Sequence, residues 1–216
     1  MPFDSDAIHR KLTASDDDGQ IVFGAEVQSA STRGGSPGSI NYQTLAGAGY
    51  GFGVFASSSN SEYTGWFANK QVTYTGPTPV TEPTIIHVHP NSWTYDGGSM
   101  KDWPKSEAIS FFAYAPFTTN FAGTGITGIT GSGTDHPTVG YAVASDPSQS
   151  VDLLWGVRAG ANSNGDRGMP WLNATLSETG GPVIFTFHHA LAAIGFKVQA
   201  IVDKDNNLSD LNDQSA

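Results

Sequence analysis

Apolar residues in this chain recur at every second position, in short runs closed off by glycine or proline. "QIVFGAEV" (20–27) sets Ile21, Phe23, Ala25 and Val27 on one face and Val22, Gly24 and Glu26 on the other. A period of two is the side-chain period of a strand with one dry face. "AGYGFGVFAS" (48–57) repeats the pattern with Tyr50, Phe52, Val54 and Ala56. "NKQVTYTG", "TIIHVHP", "EAISFFAYAP", "TVGYAVA", "SVDLLWGV", "PVIFTF" and "FKVQAIV" continue the series. With 26 Gly and 12 Pro in 216 residues, long helices are disfavoured. Short strands at fairly regular spacing with turn residues between them predict a mostly-β, Greek-key sandwich. One helical turn is expected near 188–194, in "HHALAAI". The Gly/Thr stretch "GTGITGITGSGTDHP" (123–137) reads as a long loop.

No linker divides the chain. Residues 1–19 read as a polar tail, 20–203 as a single β-sandwich domain and 204–216 as a second polar tail. The formal charge is −10, with ten Lys and Arg in all. Nucleic-acid and anionic-membrane binding need clustered cations, so neither is expected. There is no Cys, which excludes thiolate zinc sites, Cys nucleophiles and disulfides. The polar opening "MPFDSDAIHRKLTASDDDGQ" contains no apolar h-region and predicts no signal peptide. A cytosolic protein and the mature part of an exported one both begin this way.

Few motifs suggest chemistry. "GGSPG" (34–38) formally matches G-x-S-x-G, but Pro37 follows the Ser and no helical face follows the motif, so a nucleophile elbow is not expected. His87 and His89 share a strand face and could chelate a metal, yet no third ligand is set by spacing. "DKDNNLSDLNDQ" begins like a calcium loop but has Leu208 where Gly is required and Gln214 where Glu is required. Asn173-Ala-Thr175 fits a glycosylation sequon. The aromatics Trp66, Phe67, Trp93, Tyr95 and Trp103 could stack on sugar rings, with Trp66 and Trp93 the candidates for an exposed glycan platform; core packing is the competing role. No catalytic residue, metal or cofactor is assigned, and an enzyme is not expected. Arg33 stands out: it is the only basic residue between Lys11 and Lys70, and it sits in the Ser/Gly/Pro run "QSASTRGGSPG" (28–38) directly after the first strand.

Three blocks together resemble the fimbrillin-like proteins of Bacteroidetes. They are "DWPKSEAISFFAYAPF" (102–117), "VDLLWGV" (151–157) followed by "VIFTFHHALAAIGFKV" (183–198), and "IVFGAEVQSASTRG" (21–34) with its trailing Thr-Arg. The resemblance implies a transthyretin-like β-sandwich. It also implies export as an outer-membrane lipoprotein and assembly with other subunits into type V pili or surface adhesins. In polymerising members an Arg-specific protease cuts after the first strand, and a neighbour's strand takes its place. Carried onto this chain, the cut lies between Arg33 and Gly34, and the departing groove strand carries Ile21, Phe23, Ala25 and Val27. The family's second sandwich and its lipobox Cys have no counterpart here, so the chain is expected to be a fragment holding mainly the N-terminal domain. A carbohydrate-binding module using Trp66 and Trp93 is the alternative.

Overall fold

The computed structural model describes residues 19–28, 40–47, 49–76, 92–131, 137–146, 149–159 and 168–191. Its central strand is β5 (Ile109–Ala115), whose sequence ISFFAYA is apolar on both faces. A strand buried on both sides needs a layer above and a layer below, and β5 has both. It pairs antiparallel with β2 (Phe52–Ser57) along one edge. The other edge is shared: β8 (Leu154–Arg158) takes Ala113–Ala115, and β9 (Trp171–Ala174) takes Ile109 and Phe111. Beyond β2 lie β3 (Phe67–Tyr74) and the two-residue β4 (Trp93–Thr94). Beyond β8 lies β10 (Val183–His189), and on its far side β1 (Phe23–Val27) runs parallel to it.

The resulting order is β1-β10-β8-β5-β2-β3-β4, which separates β1 from β3 by five ladder steps. In a flat sheet five steps would span about 24 Å. The rings of Phe23 on β1 and Phe67 on β3 are instead 5.9 Å apart between centroids. The sheet therefore folds back on itself, and its two halves enclose one aromatic core. Phe23, Phe52, Phe67, Phe111, Phe185 and Phe187 are all fully buried in it. Gly156 on β8 makes room in this core: a Cβ there would press at 3.0 Å on both Ala113 and Phe185.

The opposite face of β2 and β5 is covered by a separate antiparallel hairpin, β6 (Ile126–Thr130) and β7 (Thr138–Tyr141). Ile126, with Ile129, Val139 and Tyr141 beside it, packs on Phe55, Tyr114 and Phe112. The stretch 123–137, read from sequence as a loop, thus contains a strand. Its glycines and threonines hide the signal, because β6 is buried at Ile126 alone and a bulge interrupts its pairing.

The mostly-β architecture is the one the sequence predicts, with short helical elements added. Two of these sit where none was expected. Helix α1 (Tyr42–Gly47) is opened by Asn41, whose side chain accepts from the Thr44 N–H at 2.8 Å. Helix α2 (Leu176–Thr179) is opened by a capping box between Thr175 and Glu178 and closed by Gly180 in the left-handed region. The turn expected at 188–194 starts differently. His188 and His189 extend β10, because their ladder with Trp155 and Leu154 on β8 continues past Phe187. Residues 192–194 lie outside the described residues, as do the predicted strands at 84–90 and 196–202.

Candidate functional site

The segment holding β1 is bonded along both edges. On one side Val183 N–H donates to the Val22 carbonyl at 2.8 Å, and Gln28 N–H donates to the Phe187 carbonyl at 2.9 Å. Between these bonds, Phe23 to Val27 pair in register with Val183 to Phe187. On the other side Ile21 N–H donates to the Lys101 carbonyl at 2.7 Å, and Trp103 N–H donates to the Gly19 carbonyl at 2.6 Å, flanking an antiparallel bridge between Gln20 and Asp102. One short strand thereby joins the β10 side of the curled sheet to the segment that follows β4.

Its apolar alternation faces the aromatic core, but the other face is closed over at the start: Val22 is 6% exposed and Gly24 is buried too, where one dry face was expected. Ile21, Phe23 and Ala25 are completely buried, and Val27 packs on the same core from its margin. Phe23 touches five other rings: Phe52, Phe67, Tyr95, Phe111 and Phe185, at centroid distances of 6.4, 5.9, 5.6, 5.9 and 6.3 Å. Most meet edge to face or tilted, the arrangement favoured by ring quadrupoles. Burying side chains of this size contributes roughly 1.5–3 kcal/mol each. On the outward face, Thr186 Oγ1 donates to Glu26 Oε2 at 3.1 Å across the β1–β10 pair.

Tyr95 ties the seat together. Its hydroxyl donates to the Ile21 carbonyl at 3.0 Å and accepts from the Lys101 N–H at 2.9 Å. Burial pushes its pKa up to about 12, with Asp96 and Asp102 adding to the rise against the hydrogen bond from Lys101. The phenol is therefore neutral and remains a donor at any physiological pH. The sequence left Tyr95 between sugar stacking and core packing; it is 2% exposed and belongs to the core.

Past Gln28, the segment 29–39 holds Arg33 and Gly34, and both lie outside the described residues. The far end of that segment is anchored. Ile40 N–H donates to Asp152 Oδ2 at 2.8 Å, and the same oxygen is 2.7 Å from His189 Nδ1. Asp152 is 5% exposed, a buried carboxylate joined to the histidine that ends β10. This pair was not among the candidates read from the sequence. The signal available was an Asp inside an apolar run, "SVDLLWGV", where only a partnered carboxylate can be buried.

The glycan platform requires correction. Trp93 is fully buried, with its ring 5.1 Å from Phe52 and 5.2 Å from Tyr74. It cannot meet a sugar. Trp66 is half-buried and lies flat on Phe67, 10° between planes, with Tyr63 against it and Lys101 Nζ 5.2 Å from its ring. The tryptophan with an open face is Trp155, 41% exposed, beside a cavity of about 280 Å3 that Phe112, Val139 and Pro170 help to line. A polar cleft of about 650 Å3 runs past Asn69, Lys70 and Gln71 on β3, where Lys70 pairs with Asp96 at 2.8 Å. His87 and His89 lie outside the described residues, and among those described no three His, Asp or Glu side chains form a metal-binding group. No described helix is long and apolar enough to cross a membrane.

The fold is similar to that of a fimbrial protein from Bacteroides vulgatus, with a TM-score of 0.51 at 22% identity, over 79% of this chain and 45% of that one. A structure from Bacteroides uniformis named for cell adhesion aligns over 81% of this chain and 49% of its own, at 16% identity and a TM-score of 0.38. The chain thus spans about half the length of either. No curated protein matches it. The family model described as fimbrillin-like matches residues 42–215, which leaves β1 and Arg33 ahead of the matched stretch. With a match over most of its length, the chain belongs to the fimbrillin-like family.

Proposed function

We propose that this protein is a non-enzymatic structural and adhesive subunit of a bacterial cell-surface pilus, carried to the outer membrane as a lipoprotein in its full-length form. Its assembly proceeds by strand exchange: a protease cuts between Arg33 and Gly34, β1 leaves, and a strand from another subunit fills the vacated place. Family membership supports the pilus role. The observation that carries the exchange step is the double-edged seating of residues 19–28, which ends five residues before Arg33.

Three physical points favour it. The stretch "SASTRGGSPG" is built of residues that bend into a protease cleft at small cost. A cut there separates β1 from the body of the chain, while Ile40 stays fixed to Asp152 on the downstream side. Departure of β1 would uncover the β10 edge and the sites of Ile21 and Phe23, and an incoming strand with alternate apolar residues would restore both.

Digestion with a trace of trypsin tests the proposal. Cleavage after Arg33 is expected well before cleavage after Lys70 or Arg158, which lie in β3 and β8. Mass spectrometry identifies the fragments, and native electrophoresis of the cut protein with further subunits reads the assembly. A chain that is digested at Lys70 and Arg158 while Arg33 stays intact contradicts the cleavage step. Accumulation of higher species from an uncut Arg33→Ala variant contradicts the requirement for it.

A further inference from the structure

We propose that the seat of β1 is selective, accepting an incoming strand by three features: an aromatic ring at the Phe23 position, a side chain no larger than a methyl at the Ala25 position, and a direction parallel to β10. This rests on the strand-exchange reading and specifies the partner for it. The occupant is a strand of another polypeptide with the pattern aromatic-x-Ala, read from its N-terminal end.

The ring requirement follows from Phe23. Its five aromatic neighbours come from four strands and the turn after β4, and the side chain has no exposed surface. A smaller side chain leaves a void among rings held by separate strands, which cannot all move in to fill it. The size limit follows from Ala25, which points to the same core two residues on and is likewise fully buried. A large side chain there has to displace packed neighbours.

Direction is set by polar groups along the seat. The Tyr95 hydroxyl requires a carbonyl two residues before the ring, where Ile21 now places its own. Lys101 offers a carbonyl to the N–H of that same residue. At the other end, the Phe187 carbonyl takes the N–H of the residue five beyond the ring. Tyr95 stays a donor because burial keeps its proton on. A strand entering in the reverse sense presents its small position before its ring and shifts its amides out of the parallel, evenly spaced pattern.

Competition on the full chain tests the selectivity. Arg10→Lys and Arg167→Lys changes leave Arg33 as the accessible site for an Arg-specific protease, with Arg158 in β8 over the Trp171 ring. Exchange is read with the 1–33 fragment still bound to the cut protein, so no stripped core has to stay folded. Fluorescent nine-residue peptides are added: the sequence of 20–28, its Phe23→Ala and Ala25→Phe forms, and its reversal. The native sequence is expected to exchange in, with the Phe23→Ala form at least about 100-fold weaker and the other two without measurable exchange. If all four exchange equally, the seat does not select and the proposal falls, while strand exchange stands. If the native peptide also fails to enter over days, strand exchange fails and takes the proposal with it.

Discussion

Two parts of this molecule, β1 and the β6–β7 hairpin, are held in different ways. β1 is bonded to β10 on one side, residues 19–21 just before it are bonded to residues 101–103, and Phe23 sits at the centre of the aromatic core. Among the described residues the β6–β7 hairpin forms a two-stranded sheet of its own, and it rests on the outer face of β2 and β5 through Ile126 and a few partly buried neighbours. Removing the hairpin uncovers the outer face of β2 and β5 and leaves the aromatic core covered. Removing β1 opens the closed core itself. Under the proposed strand exchange, a strand whose loss opens the core in this way has to be replaced rather than simply discarded.

Substitutions can break or sharpen this contrast. Phe23→Ala removes the ring shared by five others and is expected to cost about 3–5 kcal/mol, measured by chemical denaturation. Ile126→Ala, under the hairpin, should cost about 2–3 kcal/mol, near the low end for such a change, because the hairpin can settle onto Phe55 and Tyr114. An equal or larger loss at Ile126 would erase the distinction. Tyr95→Phe leaves the buried Ile21 carbonyl without its donor and should cost about 1–3 kcal/mol. It should also raise amide exchange at Ile21 more than at Phe187. Lys70→Ala breaks a surface ion pair far from β1 and should cost less than about 1 kcal/mol.

Alkaline titration separates Tyr95 further. Its pKa rises on folding from 10.0 to about 12, so the folded state holds the proton more tightly. The associated stability is complete below pH 10 and is lost as the pH climbs towards 12. Tyr95→Phe should flatten that part of the stability–pH curve. A curve unchanged by the substitution would show that Tyr95 is not buried beneath β1.

β1 and β5 were legible as strands, although β1 starts buried on both faces where one dry face was expected. Ile21, Phe23 and Ala25 alternate cleanly, and β1 is where they predict it. β5 was marked by its apolar run between Pro104 and Pro116. Pairing was not legible. Nothing in "QIVFGAEV" says that it runs parallel to a strand 160 residues later, because registry is set by the finished core and not by local pattern. At "HHALAAI" the helix-forming composition did not reveal that His188 and His189 continue the β8 ladder; residues 192–194 lie outside the described residues. The two real helices did carry signals: Asn41 before Tyr42, and Thr175 three residues before Glu178. Trp93 could not be assigned between a sugar platform and the core, because a tryptophan in a two-residue strand has no period to reveal its face. The site was partly visible for the same reason. Its apolar face could be read directly, whereas Tyr95, Thr186 and the Asp152–His189 pair acquire their roles only through contacts distant in sequence.

Amide hydrogen exchange along residues 20–28 of the uncut protein tests the central claim most directly. If β1 is a bonded stave of the core, Ile21 to Val27 should be protected to the same degree as Val183 to Phe187, and that protection should be lost once Arg33 is cut and the strand displaced. Exchange of Ile21 to Val27 at the rate of an open chain while β10 stays protected would contradict it.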